Sequence, residues 1–302
     1  MPTYVSIVTK SCSQATNLIP VQSAVKPNVY KRRFTVCLSP LNFNYGRAYE
    51  LVEWIELNRL LGAEMFTIYN YSSAYNVQKV LEYYSKRGIA EVVDWKIPLR
   101  LLTNDKKSKP EIHYYGQVVQ LQECLFRNKH ESEFVINVDL DEFIVPRGEA
   151  SNWSHMMKSM SQTAGAYIFR NTFYKKEWAD NKNDFKGKNL AVQYKLVTLL
   201  KTKHEKKVFA HRQRSKYFAR TSGVDRLMIH DVPSLSGTAR AELVPIEKAV
   251  LHHYRNWFQV NESEDVKVED DIVVQKYSEN LIANVDSVWK ELAGVPINID
   301  PK

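Results

Sequence analysis

The chain has 302 residues, 44% of them hydrophobic and 25% charged, which is the composition of an ordinary globular protein and excludes a disordered chain. Its 42 lysines and arginines against 34 aspartates and glutamates give a formal net charge of +8, which favours anionic partners without choosing among nucleic acid, a membrane surface and a nucleotide diphosphate. No apolar stretch is long enough to span a membrane and the first 30 residues lack a signal-peptide core, so we expect no membrane anchor in this chain.

The three cysteines limit the cross-links that the chain can form. Cys12, Cys37 and Cys124 are too few for a disulfide scaffold and too scattered for a zinc site, so we expect at most one internal disulfide.

Asn-x-Ser sequons give weak support for a secretory compartment. They occur at Asn70, Asn152 and Asn261.

The amino-terminal segment mixes Ser, Thr, Val and Pro without a clean period. We interpret residues 1–31 as an arm or stem remnant outside the core, and residues 32–296 as a single domain. This domain opens on a predicted buried strand at 34–40, which a proline closes. A helix with one broad apolar stripe is predicted over 48–61, and Gly62 is predicted to end it.

Strands and helices alternate through the next segment. The pattern predicts a short strand at 65–69, a helix at 76–87 and a third strand at 90–95. Such alternation implies right-handed crossovers and a mostly parallel sheet. The first third of the chain is therefore predicted to be the Rossmann-like half of an α/β fold.

The apolar period changes along the remainder of the chain. A helix at 115–128 precedes an apolar strand at 134–138, and a long helix is predicted over 273–292. Between them the period approaches two, which favours antiparallel or mixed strands. The alternating segments are 166–169, 194–200 and 227–232.

The turn after the first predicted strand, Ser39-Pro40-Leu41-Asn42, contains no glycine, and the whole chain has only 10. Dinucleotide-binding enzymes need a glycine-rich turn at this place. The P-loop signature is also absent. These observations argue against a nicotinamide oxidoreductase and against a P-loop nucleotidase.

The motif Asp139-Leu140-Asp141 follows directly on the strand at 134–138. Open α/β sheets bind their ligands at the carboxyl ends of strands, and a divalent cation would relieve the repulsion between two carboxylates placed there. Magnesium or manganese suits oxygen ligands and bridges to phosphate oxygens. We predict Asp141 as a direct metal ligand and Asp139 as reaching the metal through water or contacting a ribose. The alternative is that these aspartates only cap the next turn.

A second candidate ligand, His253, lies more than 100 residues later in Leu251-His252-His253-Tyr254-Arg255. An imidazole nitrogen in the ligand set would favour manganese over magnesium. A lone histidine is more often a satisfied core or surface residue, so the residues alone leave both interpretations open.

Six segments occur together in one order along residues 34–290, and their combination is far more specific than any one of them. They are VCLSPL at 36–41, LVEWIELNRLLGAEMFTIY at 51–69, YGQ at 115–117, FVINVDLDEF at 134–143, Ile229-His230 and His253-Tyr254-Arg255. In this combination the chain resembles glycosyltransferase family 92.

The resemblance implies a GT-A fold and an inverting transfer of galactose from UDP-galactose to a glycan on glycoprotein or glycolipid. It also implies that Asp139 and Asp141 form the family's Asp-x-Asp motif and that His253 is its late histidine, with Mn²⁺ or Mg²⁺ as the cofactor. The doubled His252-His253 departs from the single histidine expected, which leaves the register open. Family members are usually membrane proteins of the Golgi, and the lumen or membrane of this compartment is the expected location.

Further roles can be assigned to single side chains. An inverting enzyme needs a carboxylate that deprotonates the attacking hydroxyl, and Asp231 is our first candidate, followed by Glu177 and Glu142. Arg255 is expected to share the charge of the diphosphate. Three more side chains are weaker candidates for substrate contacts: Gln117 and Tyr69 in the nucleotide pocket, and Trp178 against the acceptor sugar.

Two proteins of other classes would share some of these features. A non-catalytic protein could retain the fold and bind glycans or polyanions through its basic surface, although the intact Asp139-Leu140-Asp141 argues against lost activity. A nucleic-acid binder would have the charge, but the chain lacks aromatic and basic residues interleaved on a strand platform. The expected partners are therefore a UDP-sugar and a glycan acceptor, and no nucleic acid.

Overall fold

The computed structural model describes residues 2–21, 29–99, 111–256 and 267–300. The strands are β1 (Tyr4–Val5), β2 (Ile19–Pro20), β3 (Arg32–Leu41), β4 (Met65–Asn70), β5 (Ala90–Asp94), β6 (Ser132–Asn137), β7 (Glu142–Pro146), β8 (Ala166–Phe169), β9 (Asn171–Tyr174), β10 (Lys203–Glu205), β11 (Lys216–Arg220), β12 (Val224–Arg226), β13 (Ser234–Leu235), β14 (Ala241–Leu243), β15 (Ala249–Tyr254) and β16 (Lys267–Glu269). The helices are α1 (Ala48–Leu61), α2 (Tyr75–Lys86), α3 (Gln117–Asn128), α4 (Trp153–Met157), α5 (Lys188–Gln193), α6 (Val197–Leu200) and α7 (Ile272–Glu291), with a 3₁₀ turn at Tyr114–Gly116.

The main sheet has the strand order β14-β8-β11-β6-β3-β4-β5. Strands β3, β4, β5 and β6 pair in parallel and form the Rossmann-like half. Strand β11 is antiparallel to both β6 and β8, and β14 returns parallel to β8. The predicted α/β class with a mixed sheet is confirmed, and its arrangement agrees with the GT-A fold that the family resemblance implies.

A second sheet has the order β16-β10-β9-β15-β7. Strand β7 begins directly after the Asp-x-Asp motif and pairs antiparallel with β15, so that Glu142 lies opposite His253. Strand β15 also pairs in parallel with β9. The two sheets therefore bring the motif and the late histidine to one place, although more than 100 residues separate them in the sequence.

Helix α1 lies in the centre of the core and connects the core to the motif. Its apolar stripe is fully buried, and the helix ends as predicted at Gly62, which has a φ of 123° that favours glycine. The indole N–H of Trp54 donates to the main-chain carbonyl of Asp139 at 2.9 Å. The packing of this helix thereby sets the position of the chain segment that follows β6.

The prediction of a strand at 194–200 is wrong: this segment begins directly after the end of α5 and includes the whole of α6. The carboxylate of Glu53 on α1 accepts hydrogen bonds from the main-chain N–H groups of Val197 at 3.0 Å and Thr198 at 2.8 Å. These are the donors that a helix leaves unpaired at its amino end, so a contact from a distant helix favours the helical turn.

The segment 227–232 is also not a strand but irregular. Gln122 on α3 binds both the main-chain carbonyl and the N–H of Leu227, at 2.7 and 3.2 Å. The hydroxyl of Tyr217 donates to the main-chain carbonyl of Met228 at 2.7 Å. Side chains thus satisfy the backbone groups that a neighbouring strand would otherwise pair.

Cys37 on β3 and Cys124 on α3 form a disulfide with a Cα–Cα distance of 6.4 Å, and Cys12 is exposed. The expectation of at most one internal disulfide agrees with this cross-link.

Residues 2–21 carry the small exposed hairpin of β1 and β2. The sequon at Asn261 lies outside the described residues. Within the described residues, no helix is both long and apolar enough to cross a membrane.

Removal of the disulfide should destabilise the domain. We expect the Cys37→Ala/Cys124→Ala variant to lose about 2–4 kcal/mol of unfolding free energy, because the cross-link closes a long loop in the unfolded chain. Urea unfolding followed by circular dichroism measures this loss, with Cys12→Ser as the control. Equal stability of the two variants would contradict the cross-link.

The buried carboxyl of Glu53 should make stability depend on pH. Burial raises its pKa to about 7, against the hydrogen bonds from Thr198 and Val197 that lower it. Between the ordinary pKa of 4.5 and the raised pKa of about 7, the folded state holds a proton that the unfolded state has lost. The contribution of this group to the free energy of unfolding therefore falls as the pH rises through that window.

We therefore expect the unfolding free energy of the wild type to decline more steeply from pH 5 to pH 8 than that of Glu53→Gln. The difference should be at most about 1.4 kcal/mol for each pH unit inside the window. Urea titrations at a series of pH values provide the comparison. Parallel pH curves for the two proteins would show that Glu53 ionises normally in the folded state.

Candidate functional site

A cavity of about 530 Å³ opens at the carboxyl ends of β3 and β6. Its lining comes from the end of β3 and the loop after it, the start of α1, the motif after β6, the amino end of α3, the residues after β9, the end of β15, and the segments around 214 and 229–230. The side chains relevant to chemistry are Ser39, Glu50, His113, Tyr114, Gln117, Asp139, Asp141, Glu142, Lys176, Arg214, His230, His253 and Arg255.

The first aspartate of the motif is held by a buried lysine. The Nζ of Lys216, only 2% exposed, lies 2.8 Å from Oδ2 of Asp139 and 3.1 Å from Oε2 of Glu142. Oδ1 of Asp139 accepts a hydrogen bond from the hydroxyl of Ser39 at 2.7 Å. The main-chain N–H of Asp139 donates to Oε2 of Glu142 at 2.9 Å. Both carboxylate oxygens of Asp139 are thus engaged within the protein.

These contacts outweigh the effect of burial on the ionisation of the pair. Burial alone would raise the pKa of Asp139, but Lys216 and the hydrogen bond from Ser39 hold this pKa well below its usual range. Burial alone would lower the pKa of Lys216, but Asp139 and Glu142 raise it well above its usual range. The lysine and Asp139 are therefore both charged at neutral pH.

The second aspartate faces His253. Nε2 of His253 lies 3.4 Å from Oδ2 of Asp141, and Nδ1 lies 3.4 Å from Oε1 of Glu142. The imidazole is buried, and neither ring nitrogen makes a hydrogen bond. Burial would lower the pKa of His253, but Glu142 and Asp141 raise it. A buried imidazole with two unsatisfied nitrogens beside carboxylates fits the position of a metal ligand.

The pair Asp141 and His253 supplies at most two ligands to a metal. Among residues 2–21, 29–99, 111–256 and 267–300, no group of three or more His, Cys, Asp or Glu side chains is arranged to hold a metal ion. Sites for catalytic Mg²⁺ commonly take only one or two protein ligands, and the remaining ligands come from water and substrate phosphates. The donors present therefore fit a cation that is completed by a diphosphate.

The neighbouring His252 points to the other face of β15, as alternation along a strand requires. Its ring stacks on Tyr174 at a centroid distance of 4.4 Å, and Nε2 lies 3.9 Å from Asp270. Burial lowers the pKa of His252 to about 3. His252 is thus a neutral core residue, and of the two adjacent histidines it is His253 that lines the cavity.

Two further predicted residues lie in the cavity. The amide of Gln117 donates from Nε2 to the hydroxyl of Ser39 at 2.8 Å, which connects α3 to the motif through Asp139. Arg255 lines the cavity after the end of β15. Lys176 also lines it and lies 3.1 Å from Glu50.

The structure does not bring the other predicted residues into the cavity. Asp231 faces away and pairs with Arg212 at 3.0 Å. Glu177 follows Lys176 on the outside, where its main-chain N–H donates to Asn256. The hydroxyl of the buried Tyr69 donates to Glu123, and Trp178 contacts Lys175 and Lys267. The positions of Asp231 and Glu177 do not support their predicted role as the base, and Tyr69 is a core residue.

Sequence reasoning missed the roles of Lys216, Lys176 and Ser39. Lys216 begins a strand within an ordinary run of polar and aromatic residues, and nothing in that run indicates that its ammonium group is buried. His230 was noted only as part of a family-like pair, yet it lines the cavity beside Ile229. Only the packing of distant strands reveals these four residues.

Sequence comparison identifies relatives of this chain. The model of glycosyltransferase family 92 matches residues 32–292. A Caenorhabditis elegans beta-1,4-galactosyltransferase, galt-1, is 30% identical over 127 residues, which cover 41% of this chain and 28% of that protein. The C. elegans family 92 protein F13G3.3 is 31% identical over 130 residues, covering 42% of this chain and 24% of that protein. The matched segments thus span less than a third of either relative.

Solved structures with a similar course of the chain are more distant. Residues 1–349 of S. aureus TarS, in complex with UDP-GlcNAc, match 75% of this chain and 60% of that chain at 12% identity and a TM-score of 0.38. M. tuberculosis glucosyl-3-phosphoglycerate synthase, with Mn²⁺, UDP and its product, matches 91% of this chain and 88% of that one at 11% identity and a TM-score of 0.33. These scores are too low to carry an argument about this chain, whereas the family model covers most of its length. The chain belongs to glycosyltransferase family 92.

Proposed function

We propose that this glycosyltransferase is inverting and metal-dependent, and that it transfers a sugar from a UDP-sugar to a hydroxyl of a glycan on glycoprotein or glycolipid. The observation that supports the proposal most is the contact between Asp141 and His253. The imidazole of His253 makes no hydrogen bond, and it lies beside the carboxylate of Asp141 in the cavity. Galactose is the first candidate for the donor sugar, and its support is the family resemblance and the name of the relative galt-1.

Asp141 and His253 would hold the cation, and the nitrogen ligand favours Mn²⁺ over Mg²⁺. When bound, the cation supplies Lewis-acid assistance to the departing diphosphate. Lys216 and Ser39 orient the carboxylate of Asp139, and its contact with the metal or a ribose stays a prediction.

The remaining charges of the cavity suit an anionic donor. Lys176 and Arg255 lie where they can share the negative charge of the diphosphate, together with Arg214. Gln117 and Tyr114 lie at the amino end of α3, next to the parallel strands whose carboxyl ends bind nucleotides in open α/β sheets. We assign the nucleotide to this parallel half and the acceptor to the half formed by the antiparallel strands.

The cross-link supports a proposal for the compartment. A disulfide between Cys37 and Cys124 persists in oxidising surroundings, and the secretory pathway provides them. We therefore place the protein in the Golgi lumen, as the family resemblance implies. A protein found only in the reducing cytosol, with both thiols titratable, would contradict this placement.

A screen of UDP-sugars against glycan acceptors tests the proposed function directly. We expect release of UDP in the presence of Mn²⁺ with UDP-galactose, and loss of this activity with EDTA. Retention on heparin without any binding of UDP would instead indicate a polyanion-binding protein. If every UDP-sugar stays inert with each acceptor, the proposed function is wrong.

The metal role of Asp141 can be tested by an isosteric change. We expect Asp141→Asn to abolish Mn²⁺-dependent transfer, because the amide keeps the shape of the carboxylate but loses the charge that holds the cation. The thermal unfolding temperature should stay close to that of the wild type. Asp231→Asn, outside the cavity, is the matched control. Normal transfer by Asp141→Asn, or a large fall in its unfolding temperature without metal, would favour a capping role.

The two adjacent histidines provide a matched pair of variants. We expect His253→Ala to raise the Mn²⁺ concentration for half-maximal activity by about tenfold or more. Loss of a residue that only hydrogen-bonds a metal ligand already lowers metal affinity by at least this factor. His252→Gln should leave the Mn²⁺ requirement unchanged and lower the unfolding free energy by about 1–3 kcal/mol, because it disturbs a buried polar contact. Metal titrations of activity and urea unfolding separate the two effects. Equal metal effects, or the reverse order, would show that His253 does not bind the metal.

A further inference from the structure

His230 lies in the irregular segment after β12 and lines the cavity. Its Nδ1 is 3.2 Å from the main-chain carbonyl of Ser215. A carbonyl oxygen can only accept a hydrogen bond, so Nδ1 carries the proton in the neutral ring. Nε2 is then left with its lone pair, on the side of the ring that points away from Ser215.

The segment that carries His230 is held at two residues that precede it. Gln122 holds both main-chain groups of Leu227, and Tyr217 holds the carbonyl of Met228. The carbonyl partner, Ser215, is fully buried and directly precedes Lys216, whose Nζ holds the motif. The imidazole is therefore oriented by the same strand, β11, that sets the carboxylates of the site.

Three of the four carboxylates that line the cavity are paired with a positively charged group, and the fourth, Asp141, is the proposed metal ligand. Glu50 lies 2.8 Å from Arg47 and 3.1 Å from Lys176. Lys216 holds Asp139 and Glu142, and His253 faces Asp141. Among the lining residues that the structure describes, no carboxylate is therefore left uncommitted to accept a proton from a hydroxyl.

Another histidine that lines the cavity, His113, lacks the kind of hydrogen bond that orients the ring of His230 among the described residues. His113 is exposed, and its ring has only the neighbouring ring of Tyr114 as its described contact. No hydrogen bond among the described residues selects its tautomer or its orientation. His230 is the imidazole of the cavity with an assigned tautomer and an available acceptor nitrogen.

The position of His230 in the fold separates it from the nucleotide half. It is attached through Ser215 to β11, which lies on the far side of β6 from β3. Ser39 and Gln117 lie on the side of the parallel strands. On the assignment above, His230 faces the half of the cavity that the acceptor would occupy.

We propose that His230 is the catalytic base of the transfer, an inference that rests on the proposed function. Nε2 of His230 takes the proton of the attacking hydroxyl as its oxygen bonds to the anomeric carbon. The bond between this carbon and the diphosphate oxygen breaks at the same time, and its electron pair leaves with UDP. The proton stays on the imidazole and passes to solvent after the product departs.

Two substitutions of different shape test this role. His230→Asn keeps a polar group near the position of Nδ1, where it can still bind the carbonyl of Ser215, and His230→Gln places one near Nε2. Neither amide is a base, so we expect both variants to lose turnover by about a hundredfold to ten-thousandfold. Their affinity for UDP with Mn²⁺ should stay within about twofold of the wild type, because removal of a base leaves donor binding intact.

The measurements are steady-state transfer kinetics, calorimetry with UDP and Mn²⁺, and thermal unfolding of each variant. Asp231→Asn, next along the chain but outside the cavity, is the control and should retain turnover near that of the wild type. In His230→Ala, added imidazole should restore part of the lost turnover, which a purely structural role of the ring would not allow.

Three outcomes would overturn the assignment. Turnover of His230→Gln within a few-fold of the wild type would show that no base acts there. A loss of UDP affinity equal to the loss of turnover would make His230 a donor contact. Normal turnover of His230→Asn would make the bond to Ser215 its whole role. A wild-type enzyme that transfers from no UDP-sugar would instead overturn the proposed function itself.

Discussion

Lys216 carries a positive charge into the interior of the protein, where its ammonium group lies between the carboxylates of Asp139 and Glu142. The charges are mutually dependent, because removing one partner of a buried ion pair leaves an uncompensated charge at a cost of about 3–5 kcal/mol. The same lysine joins three strands, since β11 supplies Lys216, β6 leads into Asp139 and β7 begins with Glu142. The rest of the site is arranged around this triplet: Ser39 and Gln117 attach to Asp139 on one side, and His253 faces Glu142 on the other.

The two aspartates of the motif have different surroundings. Lys216 and Ser39 contact both carboxylate oxygens of Asp139, and Lys216 keeps it ionised. Asp141 lies beside a buried imidazole that makes no hydrogen bond. On the proposed function, a cation bound by Asp141 and His253 would meet one carboxylate and one imidazole there, which leaves several coordination positions for the diphosphate and water. The positive side chains that line the cavity, Lys176, Arg214 and Arg255, are complementary in charge to a nucleotide diphosphate.

The histidines of β15 show how strand geometry divides neighbouring residues. Successive side chains of a strand point to opposite faces, so His252 enters the core against Tyr174 while His253 enters the cavity. The pairing of β15 with β7 then places His253 opposite Glu142. One shift in register would exchange the two histidines and place the neutral core residue at the motif.

The sequence by itself determined the parallel half of the fold and the location of the motif, because apolar periodicity, the glycine at the end of α1 and the carboxylates after β6 are local signals. It also yielded Asp139, Asp141, His253, Gln117 and Arg255 as candidate site residues, and the resemblance to the family strengthened the case for His253; all five line the same cavity. It misjudged 194–200 and 227–232, where contacts from Glu53 and Gln122 override the alternating pattern. The burial of Lys216, the outward course of Asp231 and the orientation of His230 depend on which strands become neighbours. Periodicity reports which face of an element is buried, but not what it is buried against, and so only the tertiary structure decided these positions.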